Sequence, residues 1–94
     1  MNRDSIIMAL CAQDYPDYML DQTVNKIECM DERVKVAFEK WIDGNETPSL
    51  EIEGWNYDKL VANFKMRPVA AFLALDWLIR DPEKAIKALK RGIR

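Results

Sequence analysis

Five basic residues near the end of the chain fall on one arc of a predicted helix and could bind phosphate groups. They are Lys84, Lys87, Lys90, Arg91 and Arg94. Cations on one arc attract the phosphates of nucleic acids. Cations near a helix C-terminus also complement the helix dipole and keep a small protein soluble. The sequence therefore favours a solvated basic face, with contact to a polyanion as the alternative.

The charge of the chain is divided unevenly between its halves. Residues 1–53 carry twelve acidic and five basic side chains, whereas residues 54–94 carry four and nine, although the net charge is only −2. Such asymmetry either helps the two halves pack together or indicates a basic surface that meets a nucleic acid. The acidic half is the expected contact for a protein partner.

The residue types that several common catalytic sites need are missing. The chain has no histidine, which excludes Ser-His-Asp and Cys-His nucleophile arrangements. Its two cysteines, Cys11 and Cys29, cannot supply the three or four ligands of a zinc site. The three glycines stand far apart, so there is no glycine-rich phosphate loop. We therefore expect a non-enzymatic protein with no catalytic residues and no cofactor.

The acidic residues do not follow a metal-binding pattern. In the most loop-like run, which begins at Asp43, Pro48 and Gly54 stand where a calcium loop requires glycine and glutamate. Another acidic group is interrupted by a proline, and helix capping is its favoured role. Its members are Asp14, Asp17 and Asp21. We therefore predict no metal site.

Asp76 is the single charge in the most apolar stretch of the chain, between Pro68 and Ile79. A buried carboxylate without a partner is unfavourable. We therefore expect Asp76 either to pair with Arg80, one helical turn later, or to occupy the one exposed edge of its helix. An isolated functional acid is the less favoured alternative.

The cysteines and the N-terminus bear on the cellular compartment. Cys11 and Cys29 lie among apolar neighbours in predicted helices, which indicates buried thiols. A secreted chain this short would more often carry four or more cysteines, so we favour a reducing cytoplasm, with a disulfide as the alternative. The apolar run 6–12 follows Asp4 and precedes no cleavage pattern, so we predict neither a signal peptide nor a membrane span.

Four aromatic residues are candidate protein contacts, provided that they are exposed. They are Tyr15, Tyr18, Trp41 and Trp55. Exposed aromatic side chains cluster at partner sites. A protein–protein interaction or regulatory module is therefore the favoured function. The alternative is a nucleic-acid-binding regulator that uses the basic arc, with Lys65 and Arg67 as possible additions. Self-association through the apolar run 6–12 is a third hypothesis.

The elements that must position these residues are predicted to be helices. Residues 68–80 form a helix that is apolar on every side and too short to cross a bilayer, so we expect burial, Trp77 included. Other helices are expected at residues 4–13, 57–65 and 82–91, and one from residue 18 or 22 to 29, capped by Asp17 or Asp21. One more is expected between Asp31 as its cap and Gly44 in a left-handed conformation. An extended segment at 50–52 has no predicted partner strand.

These elements predict an all-α fold with a single domain over residues 1–94. It is a compact array of five to six short helices around the central helix at about 68–80. The first, third, fourth and sixth helices are expected to lay their apolar stripes on that central helix. A chain of 94 residues has enough apolar surface for one modest core.

Residues 57–78 resemble a helix-turn-helix. The matching core and turn positions are Leu60, Phe64, Met66, Ala71 and Ala74. The segment departs from the motif at Lys65, where the turn usually has glycine. Its base-reading positions hold apolar residues, namely Val69, Phe72 and Leu73. The resemblance implies the shape of the motif with a buried reading face, so DNA binding through this helix is not favoured.

Three features together carry a second resemblance. They are a tryptophan-bearing helix that ends in a glycine, the loop 48–54, and the apolar stretch 68–78. In this combination the chain is similar to small uncharacterised helical bacterial proteins associated with prophages or conjugative elements. The resemblance implies a cytoplasmic accessory protein that regulates or inhibits a partner, and it carries over no catalytic residue.

Overall fold

A computed structural model describes residues 2–44 and 46–92 and confirms the all-α class. Within these ranges the helices are α1 (Arg3–Ala12), α2 (Asp17–Glu28), α3 (Glu32–Gly44), α4 (Tyr57–Phe64), α5 (Pro68–Arg80) and α6 (Pro82–Gly92). A short hairpin of β1 (Glu51–Ile52) and β2 (Trp55–Asn56) precedes α4. None of the helices in these ranges has the length and apolar character that crossing a membrane requires.

Helix α5 has the predicted bounds and supplies much of the core. It begins with Pro68 at its first turn, where the missing N–H group has no helical partner to lose. It packs against α3, α4, α6 and β1. Its fully buried side chains are Val69, Ala71, Phe72, Leu75 and Leu78. The main neighbour of α1 is α2, and the α1 side chains Ile6 and Leu10 belong to the same buried core as the α5 side chains.

An aromatic cluster centred on Phe72 joins α5 to its neighbours. The Phe72 ring meets Phe38 edge to face, with the ring centroids 5.1 Å apart. The centroids of Tyr57 and Trp41 lie 5.3 Å and 5.6 Å from that of Phe72. Such aromatic pairs stabilise a core beyond the apolar area they bury. Phe72 therefore ties α3, α4 and α5 into one core.

The prediction that every side of α5 is buried is wrong on one face. Trp77 is 41% exposed, although the sequence placed it in the core. Ala70, Leu73 and Ala74 are half-buried and share its face, because positions i, i+3, i+4 and i+7 line one stripe of a helix. This apolar stripe is covered only in part by the rest of the described chain.

Local capping signals predicted the starts of α3 and α4 correctly, whereas α2 begins after Pro16 with no side-chain cap, so the capping role predicted for Asp17 or Asp21 is wrong. The Arg33 backbone N–H donates to Asp31 Oδ1 at 3.0 Å, and the Lys59 N–H donates to Asn56 Oδ1 at 2.8 Å. These bonds satisfy amides that have no partner inside the helix. The bond from the Arg33 N–H also lowers the pKa of Asp31 below its ordinary value, because it stabilises the carboxylate. Gly44, in contrast, ends α3 without the left-handed conformation that was predicted.

The extended segment does have a partner strand, contrary to the prediction. Ile52 pairs with Trp55 in an antiparallel register, and Glu53 and Gly54 form the turn with φ of 52° and 82°. Two successive residues with positive φ are typical of the tight hairpin turn whose twist matches that of the strands. The hairpin turns Ile52 and Trp55 inward, and the Trp55 ring lies 5.3 Å from that of Phe64.

Both cysteines are free and exposed, so the prediction of buried thiols is wrong. Helix α1 turns Ile6 and Leu10 into the core, and Cys11, one residue further, faces outward. Cys29 follows the last residue of α2 and lies beyond its buried stripe. Apolar neighbours in the sequence therefore did not indicate which way either thiol points.

Candidate partner-binding groove

Arginines at the two ends of α5 contact backbone carbonyls of other helices. At its start, Arg67 Nη1 donates to the carbonyl oxygen of Gln13, the C-cap residue of α1, at 3.0 Å. At its end, Arg80 Nη2 donates to the carbonyl oxygen of Cys29, the C-cap residue of α2. These contacts tie α5 to the end of α1 and to the end of α2. A groove of about 500 Å³ lies between α5 and the C-terminal end of α2.

The floor of this groove is the exposed apolar stripe of α5. We call the site the α2/α5 groove, and its lining residues are Lys26, Cys29, Ala70, Leu73, Ala74, Asp76, Trp77 and Arg80. Most of this lining is apolar. Its charged groups are Lys26 on α2, and Asp76 and Arg80 near the C-terminal end of α5. A row of apolar side chains bordered by charge is typical of a surface that binds another protein.

Asp76 lies in the groove but is fully engaged. Its Oδ2 atom is 2.9 Å from Arg80 Nε, which confirms the predicted ion pair. Its Oδ1 atom accepts a hydrogen bond from the Asp31 backbone N–H at 2.7 Å. The side chain is only 14% exposed. Asp76 therefore joins α5 to the start of α3, and these contacts account for its burial without a chemical role.

The rim of the groove carries excess positive charge. Lys26 is exposed and forms no ion pair within the described ranges. Arg80 is half-exposed, and its charge is balanced by Asp76, the one acid in the lining. The acidic half of the chain, which was the expected contact, contributes a cation and a thiol to this groove. In the same ranges no three acidic, thiol or imidazole groups gather to hold a metal ion.

Similarity to known proteins could have assigned a role to this groove. No family model, curated protein or solved structure matches the chain. Function must therefore be inferred from the exposed surfaces of the molecule itself.

The four predicted aromatic contacts do not form one exposed surface. Tyr18 is 81% exposed on α2, whereas Trp55 is buried in the hairpin and is not available to a partner. Tyr15 is half-buried, with the Arg67 guanidinium 5.7 Å above its ring. Burial raises the pKa of the Tyr15 phenol, and the charge of Arg67 opposes that rise. Trp41 is half-buried, with one side of its ring in the aromatic cluster.

Trp41 also borders a second groove, between α1 and α3. This groove has a volume of about 410 Å³ and its lining carries no charge. The lining residues are Ser5, Met8, Ala9, Ala12, Gln13, Trp41 and Ile42. Met8 is largely exposed there, so the apolar run of α1 keeps an outward face beyond the buried Ile6 and Leu10. This is the face on which the self-association hypothesis depends.

The basic arc is exposed along α6. The structure describes four of its five members, Lys84, Lys87, Lys90 and Arg91, and Arg94 lies outside the described residues. The Lys84 ammonium is 4.0 Å from Asp81 Oδ2. The other three cations have no ion pair among the residues whose structure is described. Opposite the arc, Ala85 and Leu89 are buried in the core.

The helix-turn-helix-like segment turns its reading positions inward. Val69 and Phe72 are fully buried, and Leu73 lies in the α2/α5 groove. Lys65 adopts the left-handed conformation, with φ of 54°, that glycine provides in that motif. Because Val69 and Phe72 are buried, α5 cannot present them to the edges of DNA bases.

The sequence reasoning missed the groove because it interpreted the apolar character of α5 as complete burial. The signal was the spacing of Ala70, Leu73, Ala74 and Trp77, which places two small and two large apolar residues on one stripe. A small domain has few helices with which to cover a fully apolar one. The sequence therefore allowed the inference that one apolar stripe of α5 stays uncovered.

Proposed function

We propose that the protein is a non-enzymatic interaction module that binds a protein partner in the α2/α5 groove. The observation that carries this proposal is the exposure of Trp77, 41% of whose surface is open to solvent on the helix that supplies much of the core. Tryptophan is enriched among the residues that dominate binding energy at protein interfaces. Covering the Trp77 ring with a partner would remove apolar surface from water, which favours association.

The residues of α5 around Trp77 are held in place by contacts within the protein, which suits a binding surface. Asp76 and Leu78, the neighbours of Trp77 in α5, are held by the Asp31 bond and by the core. Arg80 holds the end of the helix to Cys29. Exposed side chains on an element fixed in this way lose little conformational freedom on binding.

Site-specific cross-linking in the native cell tests this function. With Trp77 replaced by the photoreactive residue p-benzoylphenylalanine, we expect discrete cross-linked products after illumination, because a bound partner would cover that position. Tyr18 is the matched control, since it is an aromatic residue on the neighbouring helix α2, more exposed than Trp77 and absent from the groove lining. Equal product from positions 77 and 18, or none from position 77, would argue against the groove as the interaction site.

A second candidate function is a nucleic-acid-binding regulator that uses the basic arc of α6, with Lys65 and Arg67 as additions. The observation in its favour is that Lys87, Lys90 and Arg91 are exposed without ion pairs in the described part of the chain. Cations that make no internal pair can neutralise phosphates without breaking existing contacts. The overall net charge of −2 works against this function, because it repels a polyanion at long range.

A salt titration with labelled duplex DNA separates the two functions. Under the interaction function we expect no salt-dependent binding. Use of the four described cations would give a log–log salt slope of about −3 to −4, because each neutralised phosphate contributes about −0.9. That slope, together with its loss in a Lys87→Glu, Lys90→Glu variant, would establish the second function. A Lys26→Glu, Lys59→Glu variant changes the net charge equally and serves as the control.

A further inference from the structure

We propose that the partner element bound in the α2/α5 groove is an amphipathic α-helix with acidic residues beside its apolar face. This inference rests on the interaction function proposed for the same groove. The shape and the charge of the occupant both follow from the lining of the groove.

The shape of the floor fits a helix. Ala70, Leu73, Ala74 and Trp77 repeat at the spacing by which one helix contacts another. The two alanines are small, so a partner backbone can approach α5 to the 8–10 Å typical of packed helices. Leu73 and Trp77 then project between side chains of the partner. An extended strand would find no match, because α2 and α5 offer no free sheet edge.

The length of the groove sets the length of the occupant. The lining on α5 runs from Ala70 to Arg80, beside Lys26 and Cys29 at the C-terminal end of α2. At 1.5 Å per residue, this section of α5 is about 15 Å long. A partner helix of about 10 residues, or nearly three turns, would cover it. It would lie along α5, with the end of α2 at its side.

The charge at the rim selects acidic neighbours for the apolar face. Lys26 has no acidic partner in the described ranges, and the carboxylate of Asp76 is used by Arg80 and by the Asp31 N–H. An acid on the partner helix would find a free ammonium group at Lys26. A second copy of this chain fits less well, because a symmetric pairing of two grooves brings two sets of the same cations together.

A displayed peptide library provides the test. Its members are 14-residue helices with apolar residues at i, i+3, i+4 and i+7, and each flanking position is randomised between Glu and Lys. Selection on the wild-type chain is expected to enrich Glu over Lys about two- to fivefold at positions that reach Lys26. For the tightest selected peptide, Trp77→Ala is expected to weaken binding by about 30-fold.

Charge reversal makes the test independent of the folding of the Trp77 variant. In Lys26→Glu, an exposed substitution, the preference for Glu should change to a preference for Lys. Lys90→Glu on α6 changes the net charge equally outside the groove lining and should leave the preference unchanged. Circular dichroism and thermal melting of each variant verify that it is folded.

Four results would overturn the inference. They are the absence of any enriched helix, equal recovery of Glu and Lys, a preference that Lys26→Glu does not reverse, and sedimentation that shows a Trp77-dependent dimer. If cross-links form at position 77 in cells while any of these results is obtained, the interaction function stands and the acidic helix is wrong. If position 77 also gives no cross-links, both fail.

Discussion

Replacing Phe72 with alanine is expected to lower the free energy of unfolding by about 3–5 kcal/mol. The side chain is fully buried, and its ring touches aromatic rings from α3 and α4. Alanine would remove these contacts and leave a cavity that the surrounding helices fill only in part. Since small domains are stable by about 5–15 kcal/mol, urea denaturation followed by circular dichroism should show a large shift of the midpoint.

Trp77→Ala provides the comparison within the same helix. It removes a larger side chain, but the Trp77 ring is 41% exposed. We therefore expect a loss of only about 1–2 kcal/mol, well below the value for a tryptophan in the core. A loss as large as that of Phe72→Ala would place Trp77 in the core and remove the groove. A loss below about 1 kcal/mol for Phe72→Ala would remove α5 from the core.

Replacing Asp76 with alanine is expected to lower the free energy of unfolding by about 2–3 kcal/mol. The change leaves the Asp31 N–H without its acceptor and Arg80 without its ion pair. Polar groups that lose a charged partner away from water are destabilising. Asp76→Asn should cost about 1 kcal/mol, because the amide oxygen can still accept from Asp31 while the charge is lost.

An exposed acid separates this effect from a general loss of negative charge. Asp21 is 3.7 Å from Arg3, and its side chain is almost fully exposed. Asp21→Ala should change stability by less than about 0.5 kcal/mol, as is usual for surface ion pairs. The measurement is the free energy of unfolding of both variants in the same denaturant series. If Asp76→Ala and Asp21→Ala destabilise the protein equally, Asp76 does not join α5 to α3.

Features governed by neighbours in the chain were predictable from sequence. The bounds of α5 follow from Pro68 and from Asp81-Pro82, which exclude helical continuation at its two ends. The caps at Asp31 and Asn56 follow from side chains that satisfy amides two or three residues later. The pair between Asp76 and Arg80 likewise needs only one turn of helix.

Features governed by distant parts of the chain were not predictable in this way. The direction in which Trp77 faces depends on how many helices remain to cover α5. The hydrogen-bond partner of Asp76 across the fold, the Asp31 backbone N–H, lies 45 residues away in the sequence. Trp55 was a candidate contact on the condition that it is exposed, and the segment before it was interpreted as a loop without a partner strand. Its burial follows from the pairing with Ile52, which the turn at Glu53 and Gly54 makes possible.

The contacts of Arg80 at the end of the groove have a consequence for the kinetics of association. Because Arg80 bonds both the Cys29 carbonyl oxygen and Asp76, the end of α2 is held to α5 before any ligand arrives. A preformed cleft requires no slow opening step, so the rate of capture would be governed by diffusion and orientation. Differences in affinity among ligands should then appear mainly in how long each one stays bound.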